Sequence, residues 1–241
     1  MMKKLILLIV FACCTAGMKA QNPIGGLSIK PMAGVNISGM VNGTDGMYHT
    51  KVGFTGGAEF EYGVNRWLGM SLGLIYSQQG AKIDGVAEMT MIDDTGQRYY
   101  VGVETKGKLK CNYLNLPLMA NVYIPAVKGL AVKAGVQVGI LTSDKITADV
   151  LTATVKSLAD YQMVVSDRAD DLATLTRKSF SQSDVCKSLD FGIPVGLSYE
   201  FKNVTLDARY YFGLKKIDKT EDPDNARNGC LSVTLGYRFH L

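Results

Sequence analysis

The sequence predicts an all-β chain: an eight-stranded antiparallel up-and-down transmembrane β-barrel with long external loops. Three observations predict it. Eight stretches alternate apolar and polar residues by twos, all in the same phase. Short and long connections follow one another in strict alternation, which sorts the long ones to one end. In every stretch one alternating set is free of charge while the other carries all the charged residues, the division a wall between lipid and lumen needs.

The chain opens with a segment outside this fold. Lys3 and Lys4 precede an apolar run from Leu5 to Ala12, and Ala20 stands before Gln21. This is the layout of a secretory signal over residues 1–20, with a run too short to span a bilayer. Lipoprotein processing at Cys13 is the alternative. Residues 21–241 then form a single barrel domain. The signal holds three of the 26 basic residues and no acid, so the mature chain has 23 bases against 22 acids. That near balance gives no basic face of the kind nucleic acid needs.

The strands fall in order at 27–38, 52–62, 68–77, 113–124, 130–140, 189–201, 204–214 and 231–241. Each is about the 9–11 residues that a tilted strand uses to cross a bilayer, and the even count suits closure. The last sets Leu231, Val233, Leu235, Tyr237, Phe239 and Leu241 on one face, and closes the ring by pairing with the first strand and the seventh. Links 63–66, 125–129 and 202–203 are short; links 39–51, 78–112, 142–188 and 215–229 are long. No helix-length apolar run follows the signal.

An unpaired charge facing lipid at the midplane costs about 2–4 kcal/mol, so the polar set faces the lumen. It holds Lys30, Glu59, Glu61, Lys133, Asp190, Glu200, Asp207, Arg209, Arg238 and His240. Eight strands leave an interior that side chains just fill, so acids and bases there are expected to pair into a plugged core. Tyr62, Trp67, Tyr76, Tyr199, Phe201, Tyr237 and Phe239 sit near strand ends, as aromatic girdles do. Pro117 and Pro194 fall mid-strand, where a closed barrel has no free edge, and a bulge is expected at each. In link 142–188, Leu151, Val155, Leu158, Gln162, Leu172 and Leu175 step at helical spacing; a short helix and an extended hairpin both fit.

The chemistry-bearing residues outside the lumen are few. Cys111, Cys186 and Cys230 remain after the signal is removed, an odd number without metal-ligand spacing, read as three buried thiols with one disulfide plus a free thiol as the alternative. His49, near Asp45 in the first long loop, and His240 stand at opposite ends of the barrel, so no catalytic pair is expected. Asp218, Glu221, Asp222 and Asp224 lack a calcium-loop spacing and read as a solvated loop. The Asn36, Asn42 and Asn203 glycosylation patterns carry no functional weight. No cofactor is expected.

The signal ending at Ala20-Gln21, Tyr113-Leu114-Asn115-Leu116-Pro117-Leu118, Asp190-Phe191-Gly192, Arg209-Tyr210-Tyr211-Phe212-Gly213-Leu214 and Gly236-Tyr237-Arg238-Phe239 together give a chain that resembles the small outer-membrane β-barrels of the Bacteroidetes, often called PorT-like. The last eight residues resemble the carboxy-terminal signal read by the barrel-assembly machinery, carried by Thr234, Gly236, Phe239 and Leu241, with Leu241 where the usual residue is aromatic. The resemblance implies an integral outer-membrane protein with its carboxy terminus in the periplasm. It implies contact with outer-membrane lipid and an extracellular or envelope protein partner. The expected work is non-enzymatic display of loops for adhesion, envelope integrity or partner binding. A narrow porin-like channel and an accessory role in a secretion system are the alternatives.

Overall fold

The alternation becomes ten strands in the computed structural model, which describes residues 24–41, 48–92, 94, 96–155, 174–216 and 227–241. They are β1 (Leu27–Val41), β2 (Tyr48–Gly63), β3 (Leu68–Ile92), β4 (Arg98–Tyr123), β5 (Leu130–Val155), β6 (Thr174–Gln182), β7 (Leu189–Phe201), β8 (Val204–Lys216), β9 (Arg227–Tyr237) and β10 (Phe239–His240). Neighbours pair antiparallel in the order β1-β2-β3-β4-β5-β7-β8-β9, and β1 closes the ring by pairing with both β9 and β10. β9 and β10 are one wall strand interrupted at Arg238, so the ring has eight walls. Among the described residues β6 pairs only with β5, beyond the ring.

The interruption has a cause in the sequence. Ile29 faces Phe239 and Met32 faces Gly236, so the unpaired step between them falls on Lys30 and Pro31. Pro31 has no N–H to give to the ladder. Arg238 instead donates its N–H to the Asn203 carbonyl at 2.7 Å, and its own carbonyl accepts from Asn203 Nδ2 at 2.9 Å. Lys202 and Asn203 have φ of 47° and 69°, the hand that suits a two-residue hairpin turn. The short turn between β7 and β8 thus also anchors the end of the chain.

Pro117 and Pro194 do not produce the expected bulges. Pro117 faces Gln137 and Pro194 faces Tyr211 in unbroken register. On the other side of each, two positions drop out of the ladder and pairing resumes in the same register. Gly73 makes room for the first: a Cβ there would lie 2.9 Å from Pro117 Cγ. The real register shifts lie at Thr50/Thr55, Asn112/Tyr113 and Phe212/Lys216, towards the end of the ring with the long connections.

Two of the long links are not loops throughout. β3 and β4 run for 25 and 26 residues, more than twice what one crossing needs. β5 likewise continues to Val155, and β6 returns alongside it. A four-stranded sheet, β3-β4-β5-β6, therefore continues the wall beyond the barrel. Leu151 and Val155 lie in β5, which rules out a helix there, and Leu158, Gln162 and Leu172 lie outside the described residues. Residues 1–20, Asp45, Asn42 and the acidic stretch 218–224 also lie outside them.

Burial runs opposite to that of a water-soluble domain. Leu72, Leu206 and Leu235 are more than half exposed on the outside, at 53%, 52% and 59%, while Lys30, Glu59 and Lys133 are at most 3% exposed within. Such an outside suits only a hydrocarbon surround.

Candidate functional site: the charged lumen and the mouth

The middle of the lumen is filled by five charged side chains from four walls. Glu59 from β2 takes Lys30 of β1 at 2.8 Å and Lys133 of β5 at 2.9 Å on one oxygen, and Arg209 of β8 at 2.5 Å on the other. Asp207, also on β8, takes Lys133 at 2.8 Å, Arg209 at 3.3 Å and Lys30 at 3.6 Å. β1 and β5 stand opposite one another in the ring, so the Glu59 carboxylate joins bases from both sides of the bore. The strand period puts these residues on the inner face, and the shear of the ring brings them to one level.

A second cluster lies towards the short-turn end. Arg238 Nε donates to Glu200 Oε2 at 2.7 Å, and its Nη1 lies 3.1 Å from Glu61 Oε2 and 3.0 Å from Ser28 Oγ. Arg238 Nη2 reaches the Tyr123 hydroxyl at 3.1 Å, across the ring from its own wall. The Tyr123 hydroxyl in turn donates to Glu61, as does Asn121 Nδ2 at 2.8 Å. The middle cluster has three bases and two acids, and this one has one base and two acids. Together they hold four of each sign. The clusters balance as a pair, not singly.

Asp190 belongs to neither. It sits higher, at the mouth, where its Oδ2 accepts from Asn228 Nδ2 at 2.7 Å beside Tyr211. Its grouping with the other lumen charges is therefore corrected by its height in the wall. Between it and the middle cluster is a cavity of about 30 Å³, touched by Asn115, Gln137, Arg209, Tyr211 and Ser232. That is room for roughly two waters.

Above this level the chain crosses the mouth. Asp144 accepts the N–H of Asp184 at 3.0 Å on one oxygen, and those of Val185 and Cys186 at 2.7 Å each on the other. Burial works against its charge, yet these three donors hold its carboxyl below the usual carboxylate range. Cys186 then packs with Leu109, Cys111 and Tyr113, its sulfur 3.1 Å from that of Cys111. The Cys186 thiol and burial together push the Cys111 thiol up. All three described cysteines are free and buried, and Cys230 stands apart beside Ser232.

The remaining predicted residues fall as follows. Thr234 is buried in the lumen, its hydroxyl 3.7 Å from Met32 sulfur, and Gly236 pairs between β1 and β8. The Phe239 ring lies 4.8 Å from that of Tyr237, and Leu241 is 74% exposed, its N–H donated to Leu27. His49 is in β2, not in a loop, with its ring position facing Lys82 of β3. His240 is in β10 at the other end. Asn36 is fully buried and bonded to Ser77, which leaves no room for a glycan. Tyr123 and Asn121 were readable as polar-face residues of their strand, but nothing in the sequence ranked them with the charges. The lysines of β3, β4 and β5 beyond the barrel fall in stretches that the sequence places in long links, although Lys106, Lys108 and Lys110 recur at a strand period.

No curated protein sequence matches the chain significantly. Among solved structures it is similar to Ail, the attachment invasion locus protein of Yersinia pestis, at 16% identity and a TM-score of 0.41, over 90% of this chain and 100% of that one. It is similar to Neisserial surface protein A at 14% identity and a TM-score of 0.41, over 88% and 97%. CarO of Acinetobacter baumannii is similar at 11% identity and a TM-score of 0.34, over 90% and 98%. The family model of the outer membrane protein beta-barrel domain matches residues 19–219, from before β1 to beyond β8, and the chain belongs to that family.

Proposed function

We propose that the protein is a non-enzymatic barrel, integral to the outer membrane, whose lumen is closed and whose long-stranded end is displayed outside the cell. Adhesion, envelope integrity or binding of an extracellular or envelope protein is its work. The observation that carries this reading is the middle cluster: Glu59 and Asp207 join Lys30, Lys133 and Arg209 across the bore, each at most 6% exposed. Opening a path for solutes through it means separating buried ion pairs, at about 3–5 kcal/mol for each charge left alone.

The short turns carry Arg66, Lys128 and Lys202, and with them the carboxy terminus, and these lie in the periplasm. Thr234, Gly236, Phe239 and Leu241 form the segment presented to the barrel-assembly machinery. The removal of residues 1–20 as a secretory signal belongs to the same reading. Purified protein in a planar bilayer is expected to give no steady single-channel current. Reproducible unitary steps would overturn the closed lumen in favour of a narrow channel, the second reading, which the water-sized cavity above the middle cluster favours. Protease added to intact cells is expected to cut near Asp94, at the tip between β3 and β4, and to spare the turn at Lys202. A PorT-like accessory role in secretion is tested by co-purification with a secretion complex.

A further inference from the structure

Beyond the barrel, the face of the extended sheet that continues the lipid-facing wall changes character row by row. Tyr76, Leu114 and Ile140 lie level across β3, β4 and β5 at the top of the apolar band. The next row up is neutral and polar: Gln78, Asn112 and Ser143. Then come Lys110 facing Lys145, and above them Lys82 facing Lys108. Only in the third charged row do acids enter, with Asp84 and Asp149 on either side of Lys106, which also pairs with Glu104. The opposite face of the same sheet carries buried Ala81, Ile83, Leu109 and Ala148, so the lysines stand on the outside of the wall.

Like charges directly opposite across a ladder are destabilising. Here two such pairs, Lys110–Lys145 and Lys82–Lys108, are stacked with no acid among the described residues of either row. All four side chains are exposed. The arrangement becomes favourable when an anion lies between them. A concavity of about 1,080 Å³ opens at this height, touched by Lys82, Lys106, Lys108 and Lys110 with His49 and, from the row above, Asp84 and Asp149; Lys145 stands beside it, and the volume is enough for a phosphorylated sugar.

Height identifies the anion. Successive rows are about 6.8 Å apart along a strand, or about 5 Å along the membrane normal at a tilt near 40°. The two lysine rows therefore lie about 10 and 15 Å above the last apolar row. The polar zone of a membrane begins where its hydrocarbon ends and is about 5–8 Å deep in each leaflet. The long lysine stems reach down towards it from these two rows, as lysines do at membrane interfaces, so their ammonium groups meet the headgroups from above. We propose that Lys82, Lys108, Lys110 and Lys145 form a binding site for the phosphate groups of the outer-leaflet glycolipid. The site rests on the long-stranded end lying outside the cell.

The test uses the refolded full-length mature chain, checked for its heat-modifiable gel shift, and native mass spectrometry to count bisphosphorylated lipid A retained per barrel. Retention is expected to fall about fivefold for each lysine changed to glutamine, and more than about a hundredfold in the variant with all four changed. Dephosphorylated lipid A should be retained as poorly by the wild type. Lys128→Gln with Lys202→Gln, at the other end, should change nothing. The paired variants K82Q/K108Q and K110Q/K145Q carry the test should the quadruple variant misfold. Equal retention by wild type and variants, or of phosphorylated and dephosphorylated lipid, overturns the site. Lysine-dependent binding of a soluble sulfated saccharide without retention of lipid A overturns the lipid and leaves a soluble polyanion. Because purified protein is used, this result is separate from cell-surface proteolysis, which tests the orientation alone.

Discussion

The middle of the lumen and the outer face of the extended sheet use the same residue types on continuous strands, to opposite ends. In the lumen every lysine and arginine of the middle cluster lies within reach of Glu59 or Asp207, and the surplus base is offset by the surplus acid of the Arg238 cluster below. On the outer face the lysines pair across the ladder with one another. The difference is solvent. A buried charge without a partner costs several kcal/mol, so the interior must balance within itself. An exposed one costs little, so imbalance can be kept for something outside to satisfy.

The comparison breaks most directly at Glu59. Glu59→Ala leaves three buried bases facing Asp207 alone, and an expected loss of about 3–5 kcal/mol, read from the urea midpoint at which the heat-modifiable band disappears. Adding Lys133→Met removes one of the stranded bases and should recover a clear part of that loss. Glu104→Gln, which breaks the exposed pair with Lys106, should leave the midpoint unchanged. Equal effects at Glu59 and Glu104 would mean that lumen and outer face are not electrostatically distinct.

The lumen was legible in the sequence because strand period and the lipid penalty act together: once apolar residues define one face, Lys30, Glu59, Lys133 and Arg209 have only one place to go. What was not legible was height. Asp190 shares the face and the sign of Glu200, yet sits at the mouth with Asn228, because tilt and shear decide which residues meet across a bore and neither is written in one strand. The prolines misled for a related reason. A proline removes one donor, and Gly73 and the drop-out of two paired positions absorb that loss without a bulge. The outer sheet is faint in the sequence because, beyond the membrane, strands no longer need an apolar face, and β3 and β4 above the level of Gly80 lose the apolar alternation that marks them below.

A smaller effect tests how far the two regions are independent. Gly73→Val sets side-chain atoms against Pro117 inside the ring, with an expected cost of about 1–3 kcal/mol in the same unfolding assay. Replacing residues 84–106 by a short turn removes most of the outer sheet and should leave the barrel's gel shift and urea midpoint close to those of the full chain. A barrel that no longer folds without that segment would make the outer sheet part of the ring's stability, not an addition to it.

The smallest effect lies at the boundary between the two regions, where Asp144 holds residues 184–186 across the mouth. Its carboxyl is held below the ordinary range by three N–H donors, so the contact is fully present above the unfolded value near pH 4 and is lost as the pH falls through the folded one. Opening of this segment exposes Cys186. In a Cys230→Ser background, labelling by dithiodipyridine, which reacts in acid, should accelerate several-fold between about pH 6 and pH 3, below the carboxylate range. Asp144→Asn should label fast at both and show no step; a step of the same size in that variant would assign it to some other carboxyl. With the segment closed, the Cys111 and Cys186 sulfurs are 3.1 Å apart. Diamide, taking up the two electrons and two protons that the thiols lose, should then join them into a disulfide seen as a mobility change on unreduced gels, and slowly, because the raised Cys111 thiol supplies little thiolate. The charge at Asp144, not the barrel below it, decides whether that bond can form: D144N should oxidise less completely while its urea midpoint stays within about 0.5 kcal/mol of the wild type.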